Sequence, residues 1–176
     1  MRLLKKFIKI LVLVAAGALL LLLLVGQFAP RRYLDTVSVT LPVPVAEVYQ
    51  WLTDVDDTPN RRRQVTRIEY ATVNDKGFPV WREYREEKFI RSVEVLEMEK
   101  NKRFTIQTGT VTFGLSGLWA YVLKQPGDGA TTIEITEESR TTSLINNVIF
   151  TLIGRKYTLK QELRLLEEFA EGFQVK

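Results

Sequence analysis

A run of strand-like segments, closed by one amphipathic helix, constrains the fold of this chain most strongly. Apolar and polar residues alternate in seven segments, and the turn-forming sequences NDKG and QPGDG separate some of them. The predicted strands cover residues 37–41, 65–73, 80–88, 89–98, 103–108, 115–124 and 131–138. A long helix is predicted from about Ser143, a suitable N-cap, to Phe173. Consecutive strands joined by hairpins form an antiparallel sheet, and one amphipathic helix covers one of its faces.

The order of these elements predicts an α+β fold in which a curved antiparallel sheet of about seven strands wraps around the long C-terminal helix. A short amphipathic helix is also predicted over residues 45–52. Such a fold tends to leave a cavity between helix and sheet, the usual location of an apolar ligand site. The first half of the terminal helix, residues 144–153, is apolar on more than one face. Either it packs on both the sheet and the short helix, or it forms a cavity lid or a surface resting on the bilayer.

The N-terminal segment ILVLVAAGALLLLLLVGQFA, residues 10–29, contains no charged residue and is long enough to cross a bilayer as a helix. A cleavable secretory signal is the alternative, because basic residues precede the apolar run. The exit sequence QFAP fits signal cleavage poorly, since it places Gln27 three residues before the cut and Pro30 directly after it. We therefore expect an uncleaved, single-pass transmembrane anchor.

Basic residues are unequally distributed around this segment. Arg2, three lysines and the amino terminus precede the span, whereas Arg31 and Arg32 follow it. The excess of positive charge on the N-terminal side predicts a cytoplasmic N-terminus and an extracytoplasmic domain, which is periplasmic in a diderm bacterium.

The net charge of +4 does not indicate a nucleic-acid partner. The first 34 residues carry six basic groups and no acidic one, so residues 35–176 carry 19 basic and 21 acidic groups. The folded part is slightly acidic and lacks the positive field expected of a nucleic-acid binder. The run of Arg61, Arg62 and Arg63 therefore indicates a rim segment of a cavity fold, and we expect Arg61 to be solvated there, near lipid headgroups.

Cysteine and histidine are absent from all 176 residues. The chain therefore has no disulfide, no thiolate nucleophile and none of the triads that depend on histidine. The sequence contains no phosphate-binding loop and no metal-ligand cluster, so neither a cofactor nor a bound metal is expected. Adjacent carboxylates such as Glu137 and Glu138 point to opposite sides of a strand, and exposure to solvent is the default expectation for them.

Strand alternation places several large or charged side chains on the concave face of the predicted sheet. If their strands pair as a hairpin, one face is shared by Trp119, Tyr121 and Leu123 with Ile133, Ile135 and Glu137. By the same alternation Trp81, Glu83 and Arg85 point inward together, and Arg91 joins them if its strand is oriented alike. The aromatic residues are either core or ligand contacts. The charged residues form either a structural ion pair or a polar anchor for a ligand headgroup.

The order and spacing of these segments resemble the START-like superfamily with the helix-grip fold, also called SRPBCC, in its polyketide cyclase/dehydrase-type branch. The resemblance is carried by the opening VSVTLPVPVAEVYQWLTD, by TPNRRRQVTRIE, by VWREY and by GLWAYVLKQPGDGATTIEITE. It implies a module that encloses hydrophobic or amphipathic small molecules, with catalysis in some members. Relatives of this type tend to carry an aromatic residue where this chain has Arg61.

These observations divide the chain into a transmembrane signal-anchor (residues 1–30), a short linker (31–35) and a START-like domain (36–176). The favoured hypothesis is a binding module that holds a lipid-like or other hydrophobic molecule between the long helix and the sheet. The second is a cyclase/dehydratase-type enzyme in which Glu83 acts as acid-base and Arg85 or Tyr121 steadies developing charge. The third is an accessory subunit of a membrane complex, with an unknown protein partner.

Overall fold

The computed structural model describes residues 2–110, 114–127, 129–154 and 156–174; residue 128 of the predicted QPGDG turn and the last two residues of the predicted domain lie outside it. The elements in chain order are α1 (Arg2–Phe28), β1 (Arg32–Leu41), α2 (Val45–Thr53), α3 (Thr58–Arg61), β2 (Arg67–Val73), β3 (Pro79–Arg85), β4 (Lys88–Glu99), β5 (Arg103–Thr110), β6 (Leu115–Gly127), β7 (Ala130–Thr141), α4 (Leu144–Ile153) and α5 (Tyr157–Gln174).

The seven strands form one antiparallel sheet in the order β1-β7-β6-β5-β4-β3-β2. Neighbouring strands from β2 to β7 follow one another in sequence, whereas β1 and β2 lie at opposite edges and are joined through α2 and α3. The pairing register shifts at four places along the sheet, and bulges of this kind bend strands and increase their twist. The sheet is curved, and the predicted α+β architecture is confirmed.

The hydrophobic core lies between the concave face of the sheet and helix α5. Leu159, Leu166 and Ala170 recur on one side of α5, as the helical repeat requires, and all three are buried. Alternate residues of the strands meet them, including the fully buried Ile133 and Ile135. Burial of these two apolar faces fixes where α5 crosses the sheet, and hence where a cavity remains.

Two boundaries differ from the sequence-based prediction. Strand β1 begins at Arg32, so residues 32–35 of the predicted linker pair with β7. The apolar alternation does not extend into this part, because the apolar Leu34 is exposed and the charged Asp35 is on the half-buried side. The predicted long terminal helix is divided into α4 and α5 at Gly154, whose φ of 87° is a conformation that glycine adopts at little cost. Ser143 caps α4 as predicted, because its side chain accepts a hydrogen bond from the Asn146 backbone N–H at 3.3 Å.

Helix α4 packs against the C-terminal end of α1. The buried Asn147 amide donates hydrogen bonds to the backbone carbonyls of Gly26 at 2.8 Å and Ala29 at 2.9 Å. Gly26 permits this contact, since a Cβ atom there would lie 2.4 Å from the Val148 side chain. Within α1, residues Leu4–Phe28 are long and apolar enough to cross a membrane. The end of this apolar helix is therefore fixed to the start of the C-terminal helical region.

Candidate ligand-binding cavity

A cavity of about 480 Å³ opens between α5, the sheet and the segment that follows α3. Its buried wall comes from the sheet and consists of Ile106 on β5 with Trp119 and Tyr121 on β6. Helix α5 contributes the opposite wall, which includes Leu165 and Glu162. The cavity lies where the sequence-based prediction expected one, between the C-terminal helix and the sheet.

The predicted concave face of β6 and β7 is present in the structure. Trp119 pairs with Glu137 and Tyr121 pairs with Ile135 across the two antiparallel strands. All four side chains are buried. Trp119 and Tyr121 line the cavity, whereas Ile133 and Ile135 belong to the hydrophobic core and do not line this cavity. The two isoleucines therefore pack the core behind the site.

A buried ion pair stands in the cavity wall at Arg62 and Glu162. The Arg62 guanidinium donates to both carboxylate oxygens of Glu162, at 2.8 and 2.7 Å, and the Tyr121 hydroxyl donates to the same carboxylate at 3.0 Å. Burial raises the pKa of Tyr121 well above its usual value, and the adjacent carboxylate raises it further. Burial is the largest single influence on the pKa of Arg62 and lowers it, but the combined effects of Glu162, Tyr121 and Glu83 outweigh burial, and the net change is upward. At neutral pH the guanidinium is charged and the phenol is protonated.

Trp81 and Glu83 point inward together as predicted, and Arg91, which was expected to join them if its strand was oriented alike, contacts Glu83. Glu83 and Arg91 are directly opposite on β3 and β4, and the Arg91 Nε donates to Glu83 Oε2 at 2.6 Å. The Trp81 indole N–H donates to the other carboxylate oxygen at 3.3 Å. Glu83 is 2% exposed, and both oxygens of this buried carboxylate have hydrogen-bond partners. Trp81 and Glu83 line a small side space of about 40 Å³, and Arg91 lines both this space and the main cavity.

Arg85 is exposed at the cavity mouth rather than buried beside Glu83 as the alternation predicted. The pairing register of β3 with β4 shifts between Glu83 and Tyr84, and β3 ends at Arg85. A bulge of this kind changes the direction of the following side chain. Arg85 therefore lines the cavity from its solvent side.

Arg61 lines the cavity, in keeping with the predicted rim position, but it is not solvated as predicted. Its guanidinium donates hydrogen bonds to the backbone carbonyls of Trp51 and Asp54, at the C-terminal end of α2, and stacks on the Trp51 ring at 4.8 Å. An ion pair with Asp57 at 3.3 Å completes the contacts, and the side chain is 14% exposed. Carbonyl groups at a helix end have no partner within the helix, and a cation satisfies them well. Arg61 is thus a helix cap.

Glu137 is buried, with 4% exposure, on the concave face where strand alternation placed it, and it is not exposed to solvent as the default expectation for adjacent carboxylates had it. Burial raises the pKa of its carboxyl to about 7, and the nearby carboxylates of Glu162 and Asp35 act in the same direction. The Thr158 hydroxyl donates a hydrogen bond to it, which opposes the rise. Thr158 also lines the main cavity. Glu137 is therefore a carboxyl that changes protonation near neutral pH, one hydrogen bond away from the cavity.

The sequence-based prediction did not include Glu162 in the site, although the sequence contains a signal for it. Glu162 stands three residues after Leu159 and four before Leu166, which places it on the buried stripe of α5 rather than among the solvated positions. A carboxylate on a core-facing stripe needs a buried partner.

Among the described residues, no group of three or more Asp and Glu side chains is arranged to hold a metal ion.

No family model and no curated protein sequence matches the chain. Several solved structures are similar to it. The Zhui aromatase/cyclase from Streptomyces sp. R1128 is similar with a TM-score of 0.65 and 11% identity, over 80% of this chain and 94% of that one. A START superfamily protein from Mycobacterium smegmatis has a TM-score of 0.62 and 10% identity, over 80% and 98% of the two chains.

Norcoclaurine synthase from Thalictrum flavum, a point mutant in complex with a transition-state analogue, is similar with a TM-score of 0.59 and 7% identity. The similarity covers 81% of this chain and 96% of that one. At such low identities these similarities establish the fold, which is the helix-grip fold of START-like proteins. The structures include enzymes, so the fold alone does not distinguish a binding module from a catalyst.

Proposed function

We propose that this chain is a membrane-anchored binding module that holds a hydrophobic or amphipathic small molecule between α5 and the sheet. The observation that carries the proposal is the cavity of about 480 Å³ with its apolar inner wall of Ile106, Trp119 and Leu165. Small-molecule sites in proteins have volumes of about 300–1,000 Å³, and this cavity falls within that range. Its apolar and aromatic residues form one part of the lining, and the rest of the lining is polar or charged.

The polar groups inside the cavity support a binding role because they satisfy one another. The carboxylate of Glu162 is bonded to Arg62 and Tyr121, and the carboxylate of Glu83 is bonded to Arg91 and Trp81. An apolar ligand binds less favourably when it covers a polar group that has no hydrogen-bond partner. The polar groups named here already have partners. An apolar chain can therefore lie against Trp119 without leaving a buried charge unpaired.

The apolar N-terminal helix and α4 support a membrane location. Leu4–Phe28 has the length and composition of a span, and the basic residues before it favour a cytoplasmic N-terminus with the domain outside. Helix α4 contains no charged residue, and its Ile145, Ile149 and Leu152 are exposed at helical spacing. Because α4 is fixed to the end of α1, this stripe lies at the level of the membrane interface if α1 spans the bilayer. Tethering suits a ligand that dissolves in the bilayer.

An enzyme remains the second candidate, and Glu137 is the observation in its favour. A carboxyl whose pKa is about 7 is suited to proton transfer at neutral pH. The similar structures include an aromatase/cyclase and a synthase. Glu83, the acid-base residue expected from the sequence, is less suited, since Arg91 and Trp81 occupy its oxygens. Conversion of a bound molecule that depends on Glu137 would establish the enzyme.

Native mass spectrometry of the full chain, released from its membrane in mild detergent, tests the binding proposal. We expect a small hydrophobic adduct on the wild-type protein. Leu165→Trp fills the cavity and removes the adduct, whereas Glu167→Trp, at an exposed position on the same helix, retains it. An adduct that is absent from the wild type, or equally present in both variants, rejects the proposal. The first of these outcomes favours the accessory subunit.

A further inference from the structure

The lining of the cavity is strongly basic, although the folded part of the chain is slightly acidic. Six arginines and two glutamates line the cavity. The arginines are Arg61, Arg62, Arg63, Arg85, Arg91 and Arg164, and the glutamates are Glu162 and Glu168. Positive charge is thus concentrated on one opening of a domain that carries more acidic than basic residues.

Four of the six arginines are neutralised by carboxylates. The pairs are Arg61 with Asp57, Arg62 with Glu162, Arg91 with Glu83 and Arg164 with Glu168. Arg63 and Arg85 have no carboxylate within 4.0 Å among the described residues. Two uncompensated positive charges therefore remain on the cavity, and both belong to the residue type best suited to carboxylate and phosphate oxygens.

The two arginines that have no carboxylate partner among the described residues lie at a different depth of the cavity from the apolar wall. Arg63 and Arg85 are exposed, so they stand at the mouth of the cavity. Ile106 and Trp119 are buried, so they form its inner end. A molecule that matches both regions has an apolar tail and one anionic headgroup.

We propose that the cavity binds a single-chain amphiphile with an anionic headgroup, a carboxylate or a phosphate monoester, whose headgroup contacts Arg63 and Arg85 at the mouth. The apolar chain lies along Ile106, Trp119 and Leu165. This inference rests on the proposed function, since it requires that the cavity takes a ligand at all. It adds the chemical class of that ligand and the two residues that select it.

Isothermal titration of the full chain in neutral phosphatidylcholine nanodiscs tests the inference with four probes of matched design. The probes are decanoate, decyl phosphate, decanol and inorganic phosphate. The double variant Arg63→Gln/Arg85→Gln removes the two mouth charges. The double variant Arg82→Gln/Arg103→Gln is the control, because it removes two exposed arginines that do not line the cavity.

We expect the wild type to bind both anionic chains more tightly than decanol. An exposed charge contact contributes up to about a fivefold change in affinity, so the mouth variant loses up to about 25-fold for the anionic chains. Its affinity for decanol is unchanged, and the control variant behaves as the wild type. Salt of roughly 0.5 M weakens the preference for the anions, because it screens exposed charges.

Each contrary result has a separate meaning. If decanol binds as tightly as decanoate, or if the control variant loses as much as the mouth variant, the headgroup site is rejected while the proposed function stands. If inorganic phosphate binds as tightly as decyl phosphate, the mouth is a site for free anions and the amphiphile is rejected. If none of the ten-carbon probes binds, the inference is rejected, and the adduct in the mass-spectrometric test decides the proposed function separately.

Discussion

The substitution Glu137→Gln is predicted to remove most of the pH dependence of stability between pH 5 and pH 8. Glu137 is 4% exposed, faces the core from β7 and accepts a hydrogen bond from the Thr158 hydroxyl. Burial raises the pKa of its carboxyl from 4.5 to about 7. The glutamine side chain has the same shape, retains an oxygen for the Thr158 hydroxyl and cannot ionise. The variant therefore resembles the protonated wild type at every pH.

The magnitude follows from the two pKa values. The folded protein holds the proton of Glu137 more tightly than the unfolded chain does, so its stabilising contribution is complete below pH 4.5 and is lost as the pH rises through about 7. The difference of about 2.5 pH units corresponds to about 3 kcal/mol of unfolding free energy, because one unit is worth about 1.4 kcal/mol. Most of this loss falls between pH 5 and pH 8.

The side chain that usually titrates in this pH window is histidine. The chain contains no histidine, and the pKa of Asp35 is lowered to about 2 by hydrogen bonds from Lys156, Tyr33 and the Thr36 backbone, so that Asp35 titrates below the window. The neighbouring Glu138 faces outward, and hydrogen bonds from Arg32 and Arg140 lower its pKa. Glu138→Gln is therefore the matched control, since it removes a carboxyl without affecting the stability change between pH 5 and pH 8.

Urea unfolding of the full chain in mild detergent, followed by tryptophan fluorescence, measures the effect. We expect the wild type and Glu138→Gln to lose about 2 to 3 kcal/mol between pH 5 and pH 8, and Glu137→Gln to lose less than about 1 kcal/mol. At pH 8 the Glu137 variant is the more stable protein. A wild type whose stability does not change over this range, or a Glu137 variant that retains the full pH dependence, refutes the reasoning.

Two further predictions concern the helices. Arg61→Ala removes the side chain that caps the C-terminal carbonyls of α2, and should lower the unfolding free energy in urea by about 1–3 kcal/mol, whereas Arg63→Ala, at an exposed position, should leave it nearly unchanged; equal effects would contradict the capping role. Because the chain has no cysteine, Ile149→Cys on α4 and Lys124→Cys on the sheet each accept one fluorophore in liposomes. The probe at 149 should be quenched by spin-labelled lipid and the probe at 124 should not, whereas two equally aqueous probes would show that α4 does not rest on the bilayer.

The fold was predictable from the sequence because its signals are local. Strand alternation, turn residues and the apolar stripe of α5 each depend on residues a few positions apart, and together they predict an antiparallel sheet with one covering helix. The break in the helix at Gly154 was harder to predict, since a glycine in a helical pattern is often tolerated without a break. The extension of β1 back to Arg32 depends on pairing with β7, about 100 residues later.

The site was predictable only where it follows alternation along a strand. Trp119 and Tyr121 lie on the concave face for that reason, and Glu83 meets Arg91 because their strands form a hairpin. The contact of Arg62 with Glu162 joins residues 100 positions apart and depends on where α5 crosses the sheet.

The positions of the Arg61 and Arg85 side chains could not be predicted from strand alternation. Arg61 satisfies helix-end carbonyls through its long side chain, and no spacing rule identifies such a cap. Arg85 follows a register shift between Glu83 and Tyr84 that the alternating pattern does not reveal. Strand periodicity describes a side chain's direction only while the ladder is regular.

A ligand held between α5 and the sheet is detected most directly by photocrosslinking in membranes that contain the full chain, with a fatty acid that carries a photoreactive diazirine in its chain. We predict crosslinks to peptides that contain Ile106, Trp119 and Leu165, and their loss in Leu165→Trp. Crosslinks confined to α1 and α4, which a membrane-embedded helix gives without any cavity, would contradict a ligand between helix and sheet.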